Sequence, residues 1–173
     1  FFTPLYTFEK KRYLVIHHVH QDVFRKTLKP PFSNLAMFLE KTVMPNVYEN
    51  CKVVTVSPST KEEILRVGLT KKEVDVIYNG VDLSKLVPGQ KSEKHMILSL
   101  GRLKAYKSID VLVKAAAQII KEVPEIDILI AGDGEEKVKL KKLAKSLGVD
   151  KNVKFVGKVT EDQKIALYQK AWI

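Results

Sequence analysis

Gly101-Arg102-Leu103 and, shortly after, Lys107 place two cations between an apolar run and a helical pattern. In a parallel α/β arrangement such a loop lies at the carboxyl end of a strand. The N-terminus of the next helix points free N–H groups and partial positive charge at the same spot. Two fixed cations beside a helix end form an electrostatic clamp for a diphosphate. A departing diphosphate gains negative charge in the transition state, so Arg102 and Lys107 would act as the electrophilic catalyst. The same pair in an open loop would simply be solvated. Gly132-Asp133-Gly134 is the second candidate. It reads either as close backbone approach to a ligand or as a tight turn into a helix. A dinucleotide fingerprint needs three glycines after the first strand, which this is not. His17-His18-Val19-His20 is the third. At the end of a strand, His18 and His20 fall on one face. No third ligand stands at motif spacing, so no metal is expected there. One histidine facing a cleft and acting through hydrogen bonds or charge is the functional reading; a buried, satisfied histidine is the other. The chain has no nucleophile elbow, P-loop or HExxH, and its single cysteine, Cys51, reads as a core or edge residue.

The elements that must position these residues are clearest after residue 94. His95–Leu100 and Ile126–Ala131 read as buried strands, and Val153–Val156 as a third. Between them, Ile109–Val123 repeats apolar residues at helical spacing, with Ser108 as expected N-cap and Pro124 as stop. Glu135–Leu147 is a second helix closed by Gly148, and 162–171 a third. Strands alternating with amphipathic helices predict parallel sheets with helices on both faces. Ligands in such folds bind beyond the carboxyl ends of the strands, so the loops after residues 100, 131 and 156 matter most. The first half is less regular. Residues 12–19 hold an apolar strand, Phe32–Val43 a helix, Lys52–Val56 a strand, and Ser59–Glu62 the spacing of a capping box whose helix ends at Gly68. Val74–Tyr78 is a short strand and Asn79-Gly80 a turn. The stretch 81–93 is the expected linker between 1–80 and 94–173.

Thirty basic and twenty acidic residues give a net charge of +10 over 173 residues. The excess is spread along the chain, with its densest run, Lys137–Lys145, on an amphipathic helix whose solvated face it forms. Such a total suits phosphorylated ligands or an anionic membrane surface. Nucleic acid is not expected, since neither aromatic–basic interleaving nor zinc-finger spacing is present. No apolar run approaches the length of a membrane span. One cysteine excludes an intramolecular disulfide framework and multi-cysteine zinc sites.

Taken in order, these segments resemble the retaining glycosyltransferases of family 4, the glycosyl transferases group 1. The similar stretches are VVTVSPSTKEEI, VIYNGVDLSKL, LSLGRLKAYKSIDVLVKAA, ILIAGDGEE and NVKFVGKVTEDQKIALYQKA. The likeness is strong over 53–173 and looser over 1–50, where FFTPLY and HHVHQDVF carry it. It implies an α/β fold of GT-B type. Residues 1–80 would be the end of an acceptor-side Rossmann-like domain, and 94–173 the start of the donor-binding one. It also implies an internal fragment of a longer protein, inactive by itself, because the family's E-x7-E block and opening glycine-rich loop are missing.

The implied activity is transfer of a hexose from a nucleoside-diphosphate sugar to an acceptor with retention and without a metal, the donor being a substrate and no cofactor being used. The acceptor could be a lipid, a glycan or a small molecule. The implied setting is polysaccharide or glycolipid biosynthesis in the cytoplasm, with peripheral contact to anionic membrane. Arg102 and Lys107 match the pair that holds the donor's diphosphate. Gly101, Gly132 and Gly134 match the donor-side glycines. Val159, Thr160, Glu161 and Lys164 match the loop and helix start contacting base and ribose. His18 best matches the histidine near the transferred sugar, with His20 and His17 as alternatives. The family's glycine after the motif lysine is here Ser108, whose hydroxyl is expected to cap the helix while crowding the phosphate approach. Two rival readings are a sugar-nucleotide epimerase on the same architecture and a non-catalytic basic binding module.

Overall fold

The computed structural model describes residues 12–173; FFTPLY lies outside the described residues. Its contacts divide the chain into two units, Phe1–Gly80 and Val81–Ile173.

In the first unit, β1 (Tyr13–Ile16), β2 (Lys52–Thr55) and β3 (Val74–Val76) form a parallel sheet in the order β1-β2-β3. Val53, Val54 and Thr55 are all buried, as expected of a central parallel strand covered on both faces. Ile16, Val19, Val53, Ile64, Leu69 and Val74 form the core. Three expectations are corrected here. The first strand ends at Ile16, so the histidines do not belong to it; His17–His20 is a connector leading into a helix the sequence reading lacked, α1 (Gln21–Thr27). The helix expected over Phe32–Val43 is α2 (Phe32–Phe38) followed by a π-helical turn, Leu39–Val43, and α3 (Met44–Val47). The cap of α4 (Pro58–Arg66) is Ser57 rather than Ser59. Its hydroxyl accepts from the Thr60 N–H at 3.2 Å, with Pro58 in the first turn, where a missing N–H costs nothing.

In the second unit, β4 (Met96–Leu100), β5 (Asp127–Ala131) and β6 (Val153–Gly157) form a parallel sheet in the order β4-β5-β6. Between them run α5 (Ile109–Glu122) and α6 (Lys137–Ser146), and α7 (Glu161–Lys170) follows. The helices bury Val113, Ala116, Leu140 and Ala144 against Ile128 and Ile130 of β5. Gly148 ends α6 at φ 69°, the left-handed position that glycine adopts without a Cβ clash. The lysines of α6 behave as a solvated face: Lys137 pairs with Asp133 and Lys139 with Glu136.

Ser108 departs from expectation. It occupies the N-cap position of α5, but its backbone is left-handed (φ 51°, ψ 37°) and its hydroxyl makes no capping bond. A left-handed residue cannot present its side chain to the first turn as an extended cap does. The resemblance implies glycine at this position, and a left-handed backbone is the conformation glycine adopts without strain.

The stretch 81–93 is held against the second unit over its latter part. Gln169 donates to the Val87 carbonyl, the Ser92 N–H to Lys170, and the Trp172 indole to Ser92. No helix among the described residues is long and apolar enough to cross a membrane.

Candidate functional site

The carboxyl ends of β4, β5 and β6 open onto a cleft of about 320 Å³. Gly101, Arg102, Gly132, Asp133, Lys158 and Val159 line it. Backbone hydrogen bonds fix its shape. The Gly101 N–H donates to Ala131 at 2.9 Å, the Leu103 N–H to Asp133 at 2.9 Å, and the Gly132 N–H to Gly157 at 2.7 Å.

The glycines divide by what surrounds them. A Cβ on Gly132, at φ 138°, would lie 1.8 Å from the Gly101 carbonyl oxygen, and one on Gly134 would lie 2.3 Å from that of Leu103. Both are therefore required by the approach of one loop to its neighbour, a reason that the sequence reading did not consider. Gly101 has nothing within 4 Å of its Cβ position. No packing contact requires that glycine, and Gly101 itself lines the cleft.

Arg102 donates to the Tyr106 hydroxyl at 2.9 Å. Lys107 lies in a short 3₁₀ turn, Ala105–Lys107, with its ammonium 5.5 Å from the Tyr106 ring centroid. Tyr106 thus touches both cations, one at its hydroxyl and one at its face. Lys107 does not line the cleft; Lys158 does. Lys158 and Asp133 were missed as site residues, although each stands in a loop that the strand pattern had marked as ligand-side. The Asp133 carboxyl is held below the usual range. The first cause is the hydrogen bond from the Gly134 N–H, the next the Lys137 ammonium, and Lys158 adds to both. The cleft lining thus includes a fixed negative charge near neutral pH.

Of the residues expected to contact base and ribose, only Val159 lines the cleft. The Thr160 hydroxyl caps α7 by accepting from the Gln163 N–H at 3.3 Å, and the Gln163 side chain accepts from the Thr160 N–H at 2.9 Å. This reciprocal capping box engages the Thr160 side chain and leaves the helix start itself as the part facing the loop. Glu161 and Lys164 pair with each other at 2.6 Å, and the contact raises the Lys164 ammonium above its ordinary range.

In the first unit, His17, His18 and His20 border a separate cavity of about 410 Å³, walled largely by apolar residues such as Ile16, Met44 and Leu69. The Thr60 hydroxyl holds the His17 carbonyl at 3.3 Å, and the Thr55 hydroxyl holds that of Ile16 at 2.7 Å. The His18 and His20 rings lie 4.1 Å apart between centroids. Burial first, then the charges of His20 and His17, push the His18 imidazole below its ordinary range, against opposing pulls from Glu40 and Glu63. No group of three His, Cys, Asp or Glu residues among the described ones is arranged to hold a metal ion.

Comparison with known proteins shows the family. The family described as glycosyl transferases group 1 matches residues 83–173, and glycosyltransferase family 4 matches residues 2–85. An uncharacterized glycosyltransferase of Methanocaldococcus jannaschii is 36% identical over 141 residues, 73% of this chain and 36% of that protein. Two solved structures share the fold. TarM of S. aureus, crystallised with UDP among other ligands, aligns with TM-score 0.67 and 23% identity over 92% of this chain and 31% of its own. Anabaena HepE, crystallised with UDP and glucose, aligns with TM-score 0.63 and 21% identity over 92% of this chain and 45% of its own. The chain spans less than half the length of each of these proteins. Its two Rossmann-like units are parts of a GT-B fold, and the chain belongs to the glycosyl transferases group 1 family.

Proposed function

We propose that the protein containing this chain transfers a hexose from a nucleoside-diphosphate sugar to an acceptor with retention of anomeric configuration. The observation that carries this reading is the cleft at the ends of β4, β5 and β6, with Arg102 and Lys158 among its lining residues and open space beside Gly101. The guanidinium offers a planar fork of donors that suits a phosphate edge. Lys158, and Lys107 after a modest side-chain movement, add positive charge as the departing diphosphate becomes more negative. These cations supply the stabilisation that a divalent metal supplies to diphosphate leaving groups elsewhere, and the proposal assigns the reaction no metal and no cofactor. Val159 borders the position proposed for the base. Thr160, Glu161 and Lys164 would take part through their backbone and through the N-terminus of α7. His18 is proposed to act near the transferred sugar as a largely neutral imidazole. Retention rests on the family resemblance. The acceptor class stays open among lipids, glycans and small molecules, and the net charge of +10 favours work at an anionic membrane surface on the cytoplasmic side.

Product analysis on the whole protein tests the reaction. Incubation with α-linked UDP-, GDP- and ADP-hexoses and a mixed acceptor extract is expected to yield an α-linked product, read from the anomeric proton coupling by NMR. A β-linked product contradicts retention. Interconversion of the donor sugar without transfer contradicts the transferase reading.

A further inference from the structure

Glu40 is the most buried carboxylate among the described residues of the first unit, its side chain about 5% exposed. A buried carboxylate is costly unless its oxygens are met by donors. Here one oxygen accepts the His20 backbone N–H at 2.9 Å and the other the Gln21 side-chain amide at 2.7 Å. The His20 Nδ1 lies 3.3 Å from the first oxygen. All of these donors come from the connector and first turn that follow β1, about twenty residues away in sequence, so Glu40 ties together two segments that no strand pairing joins. It sits in the π-helical turn Leu39–Val43, a widened turn of the kind found often at functional sites. The His20 ring also stacks on Phe24, 5.4 Å away and nearly parallel. His20 is thus held at its backbone by Glu40 and at its ring by Phe24, and its ring is the surface against which His18 packs.

We propose that Glu40 is the positioning residue of the histidine tip, clamping His20 so that His20 seats the His18 imidazole. This rests on the reading that His18 acts at the transferred sugar, and it also resolves which histidine is free to do so. His20 is committed to Glu40 and Phe24. His17 is exposed, with its carbonyl held by Thr60. His18 is exposed, and its ring packs on that of His20.

The test is NMR on the 173-residue chain, comparing wild type with Glu40→Gln and Glu40→Ala. Two signals are read: hydrogen exchange of the His20 amide and the titration of the His18 ring. In Glu40→Gln the amide oxygen still accepts from His20, so protection is retained. The negative charge that pulls the His18 midpoint upward is removed, so that midpoint falls. His17, His20 and Glu63 act on the same ring and stay in place, which isolates Glu40 as the cause. In Glu40→Ala the His20 amide exchanges at least about tenfold faster and the cross-peak between the His18 and His20 rings disappears, while amides of β2 keep their protection. Unchanged His20 exchange and His18 titration in both variants overturn the proposal. Loss of β2 protection in both variants also overturns it, since Glu40 would then be a stability residue only. Neither signal involves a nucleotide, so a failure of the donor reading would leave this result standing.

Discussion

The histidine tip and the β4–β6 cleft both stand at the carboxyl ends of parallel strands, yet they are built by different means. The tip is assembled from side chains: Glu40 clamps His20, Thr60 holds His17, and Phe24 backs the imidazole. The cleft is assembled from main chain: Gly101 and Gly132 donate to carbonyls at the ends of neighbouring strands, Leu103 donates to one in a neighbouring loop, and two glycines let the chain segments touch. A site held by backbone keeps its shape when its side chains change, so Arg102, Lys158 and Val159 are free to be chosen for the ligand. A site held by side chains fixes one geometry and loses it with one substitution.

The contrast makes quantitative statements that experiments can break. The largest effect is expected at Gly132. Gly132→Ala puts a methyl 1.8 Å from a carbonyl oxygen at a strained φ and should destabilise the second unit by more than about 3 kcal/mol. Chemical denaturation would read this, and a cost under about 1 kcal/mol would show that the loops do not depend on their contact. Gly101→Ala sharpens the comparison. Its Cβ meets nothing, so stability should move by no more than about 0.5 kcal/mol, while nucleotide affinity falls because the methyl enters the cleft. A modest effect of the opposite sign is expected at Ser108. Ser108→Gly relieves a left-handed backbone at some cost in unfolded-state entropy, for a net gain of about 0.5–1 kcal/mol, seen as a rise in Tm.

Much of this architecture was legible because its signals are local. The strands of the second unit are short apolar runs, its helices repeat at helical spacing, and Pro124 and Gly148 mark their ends. The cleft loops followed from strand order alone, which is why Gly101, Arg102, Gly132 and Val159 meet there. What was missed depends on contacts distant in sequence or on backbone conformation. Glu40 reads as one more polar residue on a helix until the fold brings His20 to it. Gly134 and Thr160 carry motif positions and also make contacts that spacing does not show: Gly134 packs against Leu103 and Thr160 caps α7. Ser108 has the residue type of a cap and the wrong φ for one. The π-helical turn leaves no trace in hydrophobic spacing, since it interrupts the repeat by only one residue.

The central claim is that the β4–β6 cleft binds a nucleoside diphosphate through Arg102. Calorimetric titration of the whole protein containing this chain with UDP, GDP and ADP, wild type against Arg102→Ala, tests it most directly. Loss of a charge-assisted bond worth about 1.5–3 kcal/mol predicts that one nucleotide binds roughly 10- to 100-fold more weakly to the variant. Equal affinity in the two proteins, or no binding of any of the three to the wild type, would contradict the account.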